Sequence, residues 1–424
     1  MIFTKLLGKR ALIQQLGSTV ISQGLLSAAN FIVAFVLLHR LGDGQYGYYV
    51  LATVTLILLS SLQNAYFQPS IIQQVARMGL NERKIFIGGL IYGRNKIIWL
   101  LCGVAFALDI FAWYLNVFDA QIAALILVGI VSAVSTLYRE FFRGLLLAHH
   151  QAPPVLRADF AYVVILVAGI LVATLLPYAT FFAILFLGVA ALMSALLLAR
   201  STWSFEPWER FSTFATTAGL AKDGAWSVFG AMVHWSFSQG YTYMVAALLD
   251  VSAVGILAAT RLLLMPINVL SSGVNQSTYP MVSRWHESLG YSSALRRTVY
   301  VCGGLILVFA VYASFIWIAK VWLFDAVIHK KYEGQGGLLG LWSAIFLVMA
   351  VRDQFASLLA VRSRLKSVGK FTFVSAALAL TSIWYAIPVL GPQGALVGIL
   401  LGETFNVGGL LYLSLMEMRP KRVG

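Results

Sequence analysis

Charged residues are scarce in this chain. Only 11% of its 424 residues are Asp, Glu, Lys or Arg, whereas 60% are hydrophobic and the mean hydropathy is +0.84. A soluble domain carries about 25% charged residues, so this composition excludes an ordinary water-soluble fold. Side chains this apolar are accommodated when the surrounding solvent is lipid. The sequence therefore predicts an integral membrane protein.

Cysteine clusters and catalytic motifs are also missing. The two cysteines, Cys102 and Cys302, lie within apolar runs, which excludes a disulfide framework and provides no metal site. The chain has no HExxH, GxSxG or Walker motif and no Cys/His cluster with ligand spacing, and these are the patterns that mark many enzymes. We therefore expect no cofactor, no metal and a function other than catalysis.

Acidic residues are few beside basic ones, with 16 Asp and Glu against 30 Lys and Arg and a formal net charge of +14. No basic run is dense enough to indicate nucleic acid as a partner. About 20 of the basic residues fall on segments that we assign to one side of the membrane, and such asymmetry in short loops marks the cytoplasmic side. We predict that both termini are cytoplasmic and that the first helix is retained.

Long apolar runs predict about twelve spanning helices, because about 20 helical residues cross the hydrocarbon of a bilayer. Runs this continuous exclude the alternating pattern of a barrel. The predicted fold class is an all-α integral membrane protein whose twelve helices form two six-helix lobes. The N-terminal lobe takes residues 1–200, an interfacial cytoplasmic linker takes 201–223, and the C-terminal lobe takes 224–424. The predicted spans are 15–38, 45–66, 86–111, 120–147, 159–177, 179–199, 224–249, 252–282, 298–319, 336–361, 371–390 and 394–416.

Two short segments suggest that the halves are repeats. Leu41–Gly47 follows the first predicted span, and Leu249–Gly255 follows the seventh, 208 residues later, with Leu and Gly six apart in both. A second pair, Leu100–Gly103 and Tyr300–Gly303, falls in the third and ninth spans. Duplicated halves are typical of transporters, in which the substrate cavity lies between the repeats.

Charged residues deep in the C-terminal half are the first candidates for a site, since charge within a bilayer is costly and marks function or pairing. Arg261 lies in the eighth span, five residues before Pro266. One interpretation is an anchor for an anionic substrate, because guanidinium binds phosphate bidentately. The other is an ion pair with Glu403 or Asp353. A proline that breaks the helix would favour the first.

The remaining deep charges also allow two interpretations. Arg352 and Asp353 are adjacent and project about 100° apart, so each is expected to meet a different neighbour. Glu403 and Asp353 are candidates for ion coupling, since burial raises a carboxyl pKa. For Glu403 the alternative is a neutralised pair with an arginine.

A second basic group is predicted near the cytoplasmic ends of the third and fourth spans. It consists of Arg94, Lys96, Arg139 and Arg143, of which the last two are four residues apart on one helical face. Long basic side chains at such ends reach to water. The functional interpretation is a basic cytoplasmic vestibule that gathers a phosphate-bearing lipid head group.

The opening segment 7–53 resembles the first two spans of Wzx-type polysaccharide flippases of the multidrug/oligosaccharidyl-lipid/polysaccharide (MOP) exporter superfamily. The turn Leu41–Tyr48 is similar to the leucine-glycine, then tyrosine-glycine pattern of that family. Ala258–Leu263 leading to Tyr279–Pro280, and the turn Gly391–Ala395, also resemble it. The resemblance extends over the whole chain in length and span count, with loose motifs.

The resemblance implies a monomer in the bacterial inner membrane that flips an oligosaccharide on polyprenyl pyrophosphate to the outer leaflet. Partners would be that lipid-linked oligosaccharide, the lipid bilayer and polysaccharide assembly enzymes. Within a central cationic cavity, Arg261 would contact pyrophosphate and Arg352 would be a second contact. The residues implied for sugar contact are Gln23, Asn30, Gln239 and Tyr243.

Two other functions remain open from the sequence. A multidrug antiporter of the same fold would need acidic residues in the lobe cores, and the first, second, seventh and eighth spans have none in their interiors. A membrane-embedded polysaccharide polymerase or ligase would need an outer catalytic loop. The largest candidate loop, 320–335, offers Asp325, His329 and Glu333.

Overall fold

The computed structural model describes residues 2–75, 78–205, 207–209, 215–326, 336–362 and 364–418. These residues form fourteen helices: α1 (Ile2–Arg40), α2 (Asp43–Val75), α3 (Leu80–Tyr114), α4 (Ala120–Ala148), α5 (Ala152–Ala173), α6 (Ala179–Phe205), α7 (Ala215–Gly219), α8 (Ala221–Leu248), α9 (Val251–Leu262), α10 (Met265–Leu289), α11 (Tyr291–Ala326), α12 (Gly336–Val361), α13 (Leu365–Leu390) and α14 (Pro392–Met416).

The predicted all-helical membrane fold is confirmed. Within the described ranges, ten helices are long and apolar enough to cross a bilayer, and there are eleven such spans if α9 and α10, which bend by 61° at their junction, count as one. The remaining predicted span coincides with α8, which has 28 residues and is long enough to cross. It is not among the ten, and its sequence contains polar residues such as Ser227, His234 and Gln239.

The helices divide into two compact units. Unit 1 comprises Met1–Leu41 and Ala52–Met232, and unit 2 comprises Gly42–Leu51 and Val233–Gly424. The predicted boundary lay within 201–223, whereas the units divide after Met232. The first residues of α2 belong to unit 2, an assignment that the linear order of the sequence does not suggest.

In unit 1, α6 packs against α4 and α5, and α5 packs against α1. A buried cluster joins α2, α3, α4 and α5, with Phe67, Leu90, Phe141, Leu145 and Val155 among its members.

The described part of the predicted linker is attached to unit 1. Helix α7 packs against α3, where the Thr217 hydroxyl donates to the Gly89 carbonyl (3.2 Å) and the Tyr66 hydroxyl donates to the Thr217 carbonyl (2.9 Å). Residues 210–214 lie outside the described ranges.

In unit 2, α14 packs against α12 and α13, while α10, α11 and α12 pack together. The two segments that suggested a repeat meet here, and their helices start at equivalent positions, Asp43 and Val251. A Cβ atom added at Gly47 would overlap the carbonyl oxygen of Val251, and one added at Gly255 would overlap that of Asp43. This reciprocal contact requires glycine at both positions, because only glycine allows such close approach of two backbones.

Candidate functional site

Arg261 lies in the last turn of α9, directly before the bend in the α9–α10 pair. Pro266 occupies the first turn of α10, where its missing N–H is tolerated. The carbonyl of Leu263, freed by the break, accepts a hydrogen bond of 2.7 Å from the Tyr312 hydroxyl. The helix break expected from Pro266 is therefore present, and it places Arg261 at a helix end.

The guanidinium of Arg261 is surrounded by neutral polar and aromatic groups of unit 2. Its Nη1 lies 3.5 Å from the Gln239 Oε1 and 3.4 Å from the Tyr241 hydroxyl, both on α8. Its carbon Cζ lies 5.4 Å from the ring centre of Trp342 and 5.8 Å from that of Phe346, both on α12. These hydrogen bonds are long, and the Nε has no hydrogen-bond partner among the described residues.

The nearby acids are bound by a different arginine. Arg352 donates from Nη1 to the Glu403 Oε1 (2.6 Å) and from Nε and Nη2 to the Asp353 Oδ1 (2.9 and 2.7 Å). The predicted alternative in which Arg261 pairs with Glu403 or Asp353 is therefore wrong. Among the residues that the structure describes, no carboxylate lies within salt-bridge distance of Arg261.

This arrangement also corrects the prediction that Arg352 and Asp353 meet different neighbours. The flexible arginine side chain turns back along the helix and binds the adjacent carboxylate. The predicted neutralised pair for Glu403 is confirmed. Because two acids bind the Arg352 guanidinium, its charge is already more than balanced before any anionic ligand arrives.

Two residues of the basic group in unit 1 bind Asp159, a fully buried residue of α5. Asp159 accepts hydrogen bonds from Arg139 Nη2 (2.5 Å), Arg143 Nε (3.1 Å) and the Ser22 hydroxyl (2.5 Å). Arg139 also binds Glu140 at 2.6 Å. Two arginines and two carboxylates thus form one cluster, in which the charges balance.

Arg94 does not reach to water as expected for a vestibule residue. It is 1% exposed, donates from Nε to the Gln63 Oε1 (2.8 Å) and lies 4.3 Å from the ring centre of Tyr138. The α3 helix continues for more than a turn on both sides of it, so its side chain is held inside unit 1. Lys96, two residues on, is exposed.

The residues implied for sugar contact are placed differently in the two units. Gln23 and Asn30 are exposed on α1 of unit 1 and are seven residues apart, on one face. Gln239 lies beside Arg261. Tyr243 is 37% exposed and its ring lies 5.6 Å from that of Trp235. Tyr241, which the sequence interpretation did not include, provides the hydroxyl beside Arg261.

A cavity of about 590 Å³ lies in unit 1 between α2 and α4. Its polar lining consists of Asn64, Gln68, Glu140, Arg143 and His150. This volume is in the range of small-molecule sites.

Solved structures with the same fold are membrane transporters. An inward-facing multidrug resistance MATE family transporter of the MOP superfamily matches with a TM-score of 0.71 and 12% identity over 92% of this chain and 93% of that one. The lipid II flippase MurJ, in an inward closed conformation, matches with a TM-score of 0.68 and 14% identity over 96% and 88%. A MOP superfamily transporter from Pyrococcus furiosus Vc1, described as having a binding pocket of reversed polarity, matches with a TM-score of 0.60 and 12% identity over 96% and 95%.

The chain therefore has the fold of these proteins, and its long apolar helices make it a multi-pass membrane protein. The profile of the family described as "polysaccharide biosynthesis protein" matches residues 12–286, which is more than half of the chain. The chain belongs to this family. A comparison with curated protein sequences found no match.

Proposed function

We propose that this protein flips a polyprenyl-pyrophosphate-linked oligosaccharide from the cytoplasmic to the outer leaflet of the bacterial inner membrane, for assembly of a surface polysaccharide such as O-antigen or exopolysaccharide. It acts by alternating access, as a transporter and without catalysis. The observation that carries the proposal is Arg261, a cation at a helix break with no acid beside it among the described residues.

The surroundings of Arg261 suit a pyrophosphate. A guanidinium stays charged in an apolar environment and binds phosphate oxygens through two parallel hydrogen bonds. Arg261 now makes two long hydrogen bonds to neutral groups. A phosphate oxygen can take the place of either group as the acceptor. The rings of Trp342 and Phe346 lie within cation–π distance of the guanidinium carbon, so they stabilise its positive charge without neutralising it.

The energetic cost of such a residue also favours a ligand. A charged side chain at the centre of a spanning helix costs about 2.5–3.5 kcal/mol on insertion scales. Arg352 offsets that cost with Glu403 and Asp353, whereas Arg261 has only neutral neighbours. An anionic substrate would provide the missing charge.

The comparisons support a lipid-linked substrate. The family is described as polysaccharide biosynthesis protein, and one protein with this fold is a lipid II flippase. An antiporter for organic cations would need unpaired acids. Asp159 binds two arginines and Asp353 and Glu403 share Arg352, so the candidate for that role is Asp109 of α3, a buried acid whose Oδ1 has no hydrogen-bond partner among the described residues.

The test is complementation of a deletion strain with wild type, Arg261→Gln, Arg261→Lys or Arg296→Gln. Arg296 is exposed on α11, so its variant removes the same charge away from the site. We expect the deletion to abolish surface polymer and to accumulate the lipid-linked precursor on the cytoplasmic face. Wild type and Arg296→Gln should restore export, Arg261→Gln should not, and Arg261→Lys should restore it in part. Normal polymer with drug hypersensitivity in the deletion strain would contradict the proposal and indicate an antiporter.

A further inference from the structure

The cavity of unit 1 differs from the Arg261 site in its charge. Glu140 and Arg143 line it, and both belong to the cluster around Asp159. Arg139 binds Glu140 and Asp159, and Arg143 binds Asp159. Two cations are therefore matched by two anions. The cavity has no surplus positive charge with which to bind a phosphate, contrary to the vestibule predicted for Arg139 and Arg143.

Three carboxamide side chains of α2 lie against α4, and in one of them both the oxygen and the nitrogen form hydrogen bonds within the protein. Gln63 accepts from Arg94 at 2.8 Å and donates to the Leu137 carbonyl at 2.9 Å. The other two, Asn64 and Gln68, line the cavity. The Oδ1 of Asn64 has no hydrogen-bond partner among the described residues, which is costly for a buried polar atom unless a ligand or water binds it.

The side chain of Gln68 packs against Gly144 of α4, and this contact requires a residue without a side chain at position 144. The Gln68 Nε2 occupies the space that a Cβ atom at Gly144 would fill. The Gln68 amide therefore packs directly against α4 at Gly144, in the wall of the cavity. A larger residue at this position would displace it.

We propose that this cavity binds the sugar part of the substrate through its hydroxyl groups. Sugar hydroxyls both donate and accept hydrogen bonds, and so do the carboxamides of Asn64 and Gln68. Glu140 adds an acceptor and Arg143 a donor at the same wall, with no net charge to be balanced. This inference rests on the proposed function, and it assigns the saccharide to this cavity of unit 1.

The test measures binding of two lipids to the purified, full-length protein in nanodiscs. One probe is polyprenyl pyrophosphate without sugar, and the other is the lipid-linked oligosaccharide extracted from the deletion strain. The variants are Asn64→Ala with Gln68→Ala, Gly144→Leu and Arg261→Gln. The control is Gln121→Ala, which removes an exposed carboxamide at the opposite end of α4.

We expect the Asn64–Gln68 double variant and Gly144→Leu to weaken binding of the glycosylated lipid about tenfold, the effect of losing one or two hydrogen bonds. Both should bind the sugar-free lipid as wild type does, which also shows that they are folded. Gln121→Ala should bind both lipids normally, and Arg261→Gln should lose both. Unchanged binding of the glycosylated lipid by the cavity variants, with loss in Arg261→Gln, would overturn this inference and leave the proposed function intact. No binding of either lipid by wild type would overturn the proposed function itself.

Discussion

The guanidinium of Arg352 binds the carboxylate of Glu403 across α12 and α14, with 2.6 Å between Nη1 and Oε1. Glu403 is 2% exposed, so this pair is shielded from water. The same arginine also binds Asp353. Arg352 binds both acids, so Arg261 has only neutral neighbours among its hydrogen-bond partners. The proposed phosphate site depends on Arg261 remaining without a carboxylate partner.

Replacing Glu403 with Gln should destabilise the protein. Asp353 still binds the Arg352 guanidinium in this variant, but Nη1 loses its buried carboxylate, and the loss of a hydrogen bond between charged groups costs about 1.5–3 kcal/mol. We expect a clear fall in the thermal unfolding midpoint in detergent. Glu287→Gln, at an exposed position of α10, should have little effect. The combined variant Arg352→Met with Glu403→Leu should recover most of the loss. If Glu403→Gln unfolds like wild type, the pair does not hold α12 to α14.

Replacing Asp159 with Asn should also be costly in unit 1. Asp159 is the shared acceptor for Arg139, Arg143 and Ser22, and its loss leaves two buried arginines with only Glu140. We expect a loss of about 3–5 kcal/mol, measured as reduced resistance to thermal unfolding. The matched control is Asp119→Asn. Asp119 caps α4 through the Ile122 N–H (2.7 Å), and asparagine caps a helix equally well, so an equal loss in both variants would contradict the assigned role of Asp159.

Alanine at Gly47 should disturb the contact between the starts of α2 and α9. The added Cβ would meet the Val251 carbonyl oxygen, so the helices must separate or the protein must lose stability. The control is Gly103→Ala on α3, where no atom lies within 4 Å of the added Cβ and alanine favours the helix by about 1 kcal/mol. Thermal unfolding should show a fall for Gly47→Ala and no fall for Gly103→Ala. Equal midpoints would show that the close contact is unimportant.

The C-terminal end of α14 should make stability depend on pH. Burial opposes ionisation of Glu417, but hydrogen bonds from Arg362 (2.9 Å) and Arg364 (2.6 Å) outweigh it and hold the pKa of Glu417 below its ordinary value of 4.5. A carboxyl with a lowered pKa stabilises the folded state at pH values above its unfolded pKa. That contribution is lost as the pH falls through the folded pKa. The unfolding midpoint should therefore drop below about pH 4.5, and Glu417→Gln should reduce this dependence. If the unfolding midpoint of Glu417→Gln depended on pH as that of wild type does, other titrating groups would be responsible for the pH dependence.

Much of the fold was predictable because apolar runs and Pro266 act locally. The span positions, the all-helical class and the helix break all follow from the sequence near each residue. The division between the units was not predictable, since the placement of Gly42–Leu51 in unit 2 depends on contacts with Val251 and Gly255, about 200 residues away.

The candidate site was predictable only in part, because ion pairing depends on which side chains meet. Arg261 stood out as a deep charge beside a proline. Its companions Tyr241, Trp342 and Phe346 were missed, although Trp342 and Phe346 are four residues apart and share a helical face. Asp159 was missed because it lies at the predicted start of the fifth span, where an acid is ordinarily solvated. The structure shows that it is fully buried.

The most direct test of Arg261 is translocation by the purified protein in proteoliposomes. The substrate is a fluorescent polyprenyl-pyrophosphate-linked sugar in both leaflets, and a membrane-impermeant reductant quenches the outer leaflet. Wild type and Arg296→Gln should expose the inner-leaflet substrate much faster than vesicles without protein do, and Arg261→Gln should fall to the protein-free rate. Translocation by Arg261→Gln at the wild-type rate would contradict the account, since the cation proposed to bind the pyrophosphate would then be dispensable.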